Sequence, residues 1–249
     1  MTNDIRHTIR HQMTVLSKRY QAVMLGDLGT VALLLLQAPF IGWLCTLVWG
    51  SIDKDTPSLY FVLSLSAVWF GCINACREIV KERAIIERER LLGLSLVAYI
   101  GSRFVVLSVL GFAQILMLQI AVEWSLSLKG FFWIQTLALW LATLCGIGLG
   151  LVVSALSHTQ ERAVGAIPLI ILPQILFSEF SIPKESFGDA VAFIEKCMPV
   201  RWCYEIFKEL AALETSWGAV FLSFLVLIMM IIFLAAVAWI TLLQRREVV

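Results

Sequence analysis

Six long stretches of this 249-residue chain contain no Asp, Glu, Lys or Arg: 28–52, 56–76, 104–122, 130–160, 163–178 and 215–244. A helix needs about 20 predominantly apolar residues to cross the hydrocarbon core of a bilayer. Five of the runs have that length, and the one at 163–178 reaches it by extending to His158 on one side and Phe180 on the other. The composition, 60% hydrophobic and 15% charged, lies outside the range of soluble domains. The backbone must satisfy its own hydrogen bonds where there is no water, which favours helices for runs of this length. The expected fold is an all-α polytopic membrane protein, one domain over 1–249, with spans at 28–50, 58–76, 104–122, 131–156, 160–178 and 217–243.

The net charge of +1 says less than its distribution. With six spans both termini share a side, and that side holds thirteen lysines and arginines: Arg6, Arg10, Lys18, Arg19, six between 77 and 103, Arg162, Arg245 and Arg246. The other side holds six: Lys54, Lys129, Lys184, Lys196, Arg201 and Lys208. Basic residues concentrate in cytoplasmic loops, so both termini are expected in the cytoplasm of a cell's inner or plasma membrane. Trp49, Trp124, Trp133 and Trp217 then fall near the outer ends of their spans, as interfacial tryptophans do.

The segment between the second and third spans, Arg77–Arg103, packs ten charges into 27 positions. Arg83 precedes Glu87 by four residues and Glu87 precedes Arg90 by three, spacings that support an exposed helix. Ahead of the first span, Ile5, Ile9, Met13, Leu16, Tyr20 and Val23 recur every third or fourth residue, which predicts an amphipathic helix over 4–24 along the inner membrane face. No small-residue cleavage site follows it, so a signal peptide is not expected. The longest outer segment, 179–216, is interrupted by aromatic and aliphatic residues and is expected to form one or two short helices dipping back against the span ends. Span four carries Ala142, Gly146, Gly150 and Ser154 at every fourth position, a stripe suited to close helix packing. Pro168 and Pro173 are expected to bend or break span five. Cys197 and Cys203, on either side of Pro199, form a candidate disulfide under oxidising conditions.

Equally informative is what the chain lacks. It has no GxxxxGK[ST] phosphate-binding loop, HExxH, GxSxG or CxxC motif, so neither catalysis nor a metal site is expected, and no nucleic-acid partner. No span carries an ionisable residue in its interior, whereas ion-driven transporters need such groups at membrane depth. Energy for any uphill movement must therefore come from another polypeptide or domain.

An amphipathic inner helix, six spans, a charged helix after the second span and a structured loop before the sixth resemble the membrane domain of type-2 ABC exporters. The pattern is most similar to the G subfamily and to bacterial relatives whose ATPases carry forkhead-associated domains. Glu78, Glu82 and Glu89, with Arg88, Arg90, Gly93, Tyr99 and Arg103, match the family pattern after span two. IPLIILPQILFSEFSIP at 167–183 resembles its proline-rich span five, and MPVRWCYEIFKEL at 198–210 its segment before span six. Glu179 stands where the family usually has glycine, and Gly71 aligns where its drug exporters carry a substrate-stacking phenylalanine.

The resemblance implies a half-size permease working as a dimer, most simply a homodimer. A separate nucleotide-binding subunit would bind ATP and Mg, and no cofactor would bind this chain. The helix over 4–24 would be the connecting helix. Glu82, Arg83, Ile85, Ile86, Glu87, Arg88, Glu89, Arg90 and Gly93 would form the coupling helix seated on the ATPase, while Glu78 and Arg103 would tie span ends together. Spans two and five would line the pathway through Phe70, Asn74, Ile171 and Gln174. An uncharged, aromatic-rich pathway leans toward a lipidic or amphipathic substrate. The alternative is a membrane scaffold that docks a cytoplasmic partner through Arg77–Arg103 without transport.

Overall fold

The computed structural model describes residues 2–51, 57–126, 128–180 and 188–244, and every regular element among them is helical. In chain order these are α1 (Thr2–Gly26), α2 (Leu28–Trp49), α3 (Pro57–Ala75), a 3₁₀ turn (Val80–Glu82), α4 (Arg83–Leu91), α5 (Leu96–Glu123) and α6 (Phe132–Leu156). They are followed by α7 (Gln160–Gly165), α8 (Ile167–Leu176), α9 (Asp189–Lys196), α10 (Pro199–Ala211) and α11 (Trp217–Gln244). Of the residues used in the charge count, Lys54, Lys184, Arg245 and Arg246 lie outside the described residues, as do 181–183 of the proline-rich stretch.

Among the described residues, five helices are long and apolar enough to cross a membrane: α2, α3, α5, α6 and α11. The expected fifth span, 160–178, is not one helix. It breaks at Ala166 into α7 and α8, because Pro168 has no backbone N–H to continue the ladder and Pro173 removes a second. Its ends still lie at opposite ends of the bundle: Gln160 lines a hollow with Arg77, and the Phe180 ring packs 4.8 Å from that of Phe61 near the start of α3. The third span also differs from expectation. Ser95 caps α5 by accepting from the Ala98 N–H, so the helix starts eight residues before position 104 and includes Arg103.

The core is the α3–α6 pair. Thirteen of the 19 residues of α3 are buried, against three of the 22 in α2. A Cβ on Gly146 would lie 2.3 Å from the Val68 carbonyl oxygen, and one on Gly71 would lie 2.1 Å from that of Thr143. The small-residue stripe of α6 thus meets α3 backbone to backbone, with no room for a side chain between them. Polar groups at this depth bond across helices. Asn74 Nδ2 donates to Gln114 Oε1 at 2.6 Å, and Gln114 Nε2 donates to the Leu34 carbonyl at 2.7 Å. Beyond the far end, α10 packs on α3, α6 and α11, burying Val200, Cys203, Tyr204, Ile206, Phe207 and Leu210 along one face.

Candidate functional site

The charged segment forms a platform at one end of the bundle, built on side chains reaching other elements. Ser154, the last residue of the α6 stripe, accepts from the backbone N–H groups of Ile79 (2.9 Å) and Val80 (3.0 Å) and so holds the 3₁₀ turn. Arg83 donates to the Ser157 carbonyl at 2.7 Å, beyond the last turn of α6, where a cation also complements the helix dipole. Arg90 does the same for α11, donating to the Leu242 carbonyl at 3.0 Å. Glu89 pairs with Arg19 of α1 at 2.5 Å, and Gln12 of α1 accepts from the Ser95 N–H at 3.0 Å. The start of α5, the ends of α6 and α11 and the body of α1 therefore converge on the nine residues of α4 and its flanks.

Beneath α4 lies a buried polar cluster. Arg103 is 1% exposed, and its guanidinium pairs with Glu82. Its flat face lies over the Tyr20 ring, 3.9 Å from the centroid, and 4.9 Å from that of Tyr99. The Tyr99 hydroxyl lies 3.4 Å from the same Glu82 oxygen. Glu78 pairs with Lys81 at 2.6 Å. A buried arginine is tolerable only when its charge is matched, and this match joins α1, the 3₁₀ turn and α5.

The outer surface of α4 is different in kind. Leu91 and Leu92 are 86% and 88% exposed, Ile85, Glu87 and Arg88 are exposed, and Ile86 is buried against the platform. Gly93, at φ +92°, ends the helix: its N–H reaches the Arg90 carbonyl and the Leu94 N–H reaches that of Glu89. That turn leaves the two leucines at the tip. Of the nine residues expected to touch a partner, Ile85, Glu87, Arg88 and Gly93 are exposed, while Glu82, Arg83, Glu89 and Arg90 are engaged within the chain. Leu91 and Leu92 lie within the expected segment 82–93 but are not singled out by sequence; an apolar pair just before the helix-ending glycine of a charged helix is the available signal.

Phe70, Asn74, Ile171 and Gln174 are all buried within the chain. Gln174 accepts from the Val200 N–H at 3.4 Å. Gly71 faces the α6 backbone, so position 71 has no room for a ring that could stack on a substrate. The part of α3 left half-exposed is a different stripe: Val62, Leu65, Trp69 and Ile73.

At the far end the Phe61 and Phe180 rings pack at a tilt and Tyr204 meets both edge-on, with Tyr60 against Phe207 at 5.4 Å. Burial, and then the Glu179 carboxylate that faces it, raise the Tyr204 hydroxyl far above its ordinary value. The Lys208 ammonium lies 3.9 Å from Glu179. Cys197 is exposed and Cys203 buried, and both are free thiols. Burial pushes the Cys203 thiol up to about 12.

The sequence profile described as ABC-2 type transporter matches residues 11–211, from within α1 to the end of α10. Among curated proteins, the ABC transporter ATP-binding/permease protein Rv1747 of Mycobacterium tuberculosis is 25% identical over 204 residues. The match covers 72% of this chain and 23% of that protein, so the chain spans about a quarter of its relative's length.

Proposed function

Because the chain belongs to the ABC-2 type transporter family, we propose that it is the permease of an ATP-driven exporter, powered by an ABC nucleotide-binding subunit or domain that carries ATP and Mg. The observation that supports this best is the platform around α4: its inner side is bonded to α1, α5, α6 and α11, and its outer side presents Ile85, Leu91 and Leu92 among charges. A partner gripping that tip would move three helix ends and the body of α1 together, a rigid-body device suited to alternating access. The basic residues of this end favour a cytoplasmic side for it by the positive-inside rule.

The pathway in this reading forms between two copies of the chain. The half-exposed stripe Val62, Leu65, Trp69 and Ile73 of α3 would line it, with α8 beside it. Phe70, Asn74, Ile171 and Gln174 would reach it only if α3 and α8 part from their neighbours as the cavity opens. An apolar lining of this kind favours a lipidic or amphipathic substrate. The test is ATP hydrolysis by the reconstituted permease–ATPase complex across a panel of lipids, hydrophobic drugs and peptides. We expect stimulation by lipids or amphiphiles that is lost in Trp69→Ala. Stimulation by hydrophilic peptides alone would overturn the substrate class.

A further inference from the structure

A cavity of about 120 Å³ lies at the charged end, bordered by α1, α2, α5, the end of α3 and the turn that follows it. Its walls are apolar, from Val23, Met24, Val31, Leu34, Leu107 and Leu110, and its polar lining comprises Tyr20, Asp27, Thr30, Asn74, Glu78 and Lys81. It belongs to a single protomer and is separate from the half-exposed stripe of α3.

Glu78 is only 7% exposed. Its Oε1 is taken by Lys81, but Oε2 is buried and has no hydrogen-bond partner among the described residues. The Tyr20 hydroxyl is close enough for that carboxylate to raise it, after burial, well above its ordinary value, yet no donor meets Oε2 in hydrogen-bonding geometry. A buried carboxylate oxygen without a donor is costly. Charge gives a second indication. Of the charged residues that line the cavity, Asp27 and Glu78 face Lys81 alone, leaving one negative charge unmatched. Asp27 is firmly ionised: the Thr30 hydroxyl and N–H hold its carboxyl below the usual range.

We propose that this cavity binds the primary ammonium headgroup of a membrane aminophospholipid of the phosphatidylethanolamine type. An ammonium supplies both what Oε2 lacks and the missing positive charge, and Asp27 gives it a second acceptor. Lys81 has two further N–H donors for the phosphate. The acyl chains would lie along the exposed apolar face of α2, which carries Leu28, Leu33 and Leu36. A choline headgroup cannot donate a hydrogen bond to Oε2, and an anionic lipid without an amine would meet the unmatched negative charge. Membership of the cavity in one protomer makes this a resident lipid rather than transported cargo.

The test is native mass spectrometry of the purified, delipidated full chain titrated with phosphatidylethanolamine or phosphatidylcholine of identical acyl chains. We expect one retained phosphatidylethanolamine per chain and a preference of about tenfold, the size of one charge-assisted hydrogen bond. Glu78→Gln should abolish the preference. Val31→Trp, which fills the cavity wall without touching a charge, should abolish retention and keeps the test decisive if Glu78→Gln does not fold. Equal retention of the two lipids, an unchanged preference in Glu78→Gln, or equally strong binding of free ethanolamine would each overturn the proposal.

Discussion

The two ends of the bundle both carry polar segments between long helices, yet they are held by different forces. At the charged end, α4 hangs on long-range polar links: Arg83 to Ser157, Arg90 to Leu242, Arg19 to Glu89, and the Arg103–Glu82 pair beneath. At the opposite end, α10 is held by burial of Val200, Ile206, Phe207 and Leu210 and by packed rings. Directional bonds from one short helix to several helix ends transmit displacement, because each link fixes an atom pair. Apolar burial is non-directional and seals without steering. The difference suits a lever at one end and a lid at the other.

The largest expected loss comes from unmatching the buried arginine. Glu82→Ala leaves the Arg103 guanidinium buried without its partner, and breaking such a pair costs about 3–5 kcal/mol. Thermal unfolding in detergent, followed by size-exclusion profile, should show a collapse of the monodisperse peak. At the far end Phe207→Ala should cost about 3 kcal/mol through the cavity it leaves, and that loss should not respond to salt. If it did, burial would not be what holds α10.

Smaller effects sharpen the contrast. Arg19→Ala removes a partly exposed pair and should cost under about 1 kcal/mol, a difference that fades in high salt. The two loop cysteines give a chemical readout without an expected stability change. At pH 8 a maleimide should label Cys197 quickly and leave Cys203 untouched, since burial holds that thiol almost wholly protonated, its value pushed up to about 12. Rapid labelling of Cys203 would mean that α10 detaches readily.

Hydropathy made the long helices legible because lipid-facing and core-facing residues are both apolar, so a span reads as an unbroken run. The same property hid which face of α3 is which. Phe70 and Trp69 are neighbours with similar hydrophobicity, yet one is sealed against the core and the other half-exposed. Arg103 misled the start of α5, since a charge reads as the edge of a span until its partner 21 residues earlier is seen. The α6 stripe was readable as a close-packing face, but its partner helix was not. The charged segment stands out in the sequence by its density of charge. Which charges face inward depends on partners up to 152 residues away, and no local pattern encodes that.

The most direct test of the account is whether the tip of α4 carries the coupling. Leu91→Asp with Leu92→Asp alters only exposed side chains, so membrane insertion and thermal stability should match the parent. In the complex with its nucleotide-binding partner, the predicted result is loss of co-purification and of substrate-stimulated ATP hydrolysis. A double variant that folds, co-purifies and hydrolyses ATP as the parent does would contradict the claim.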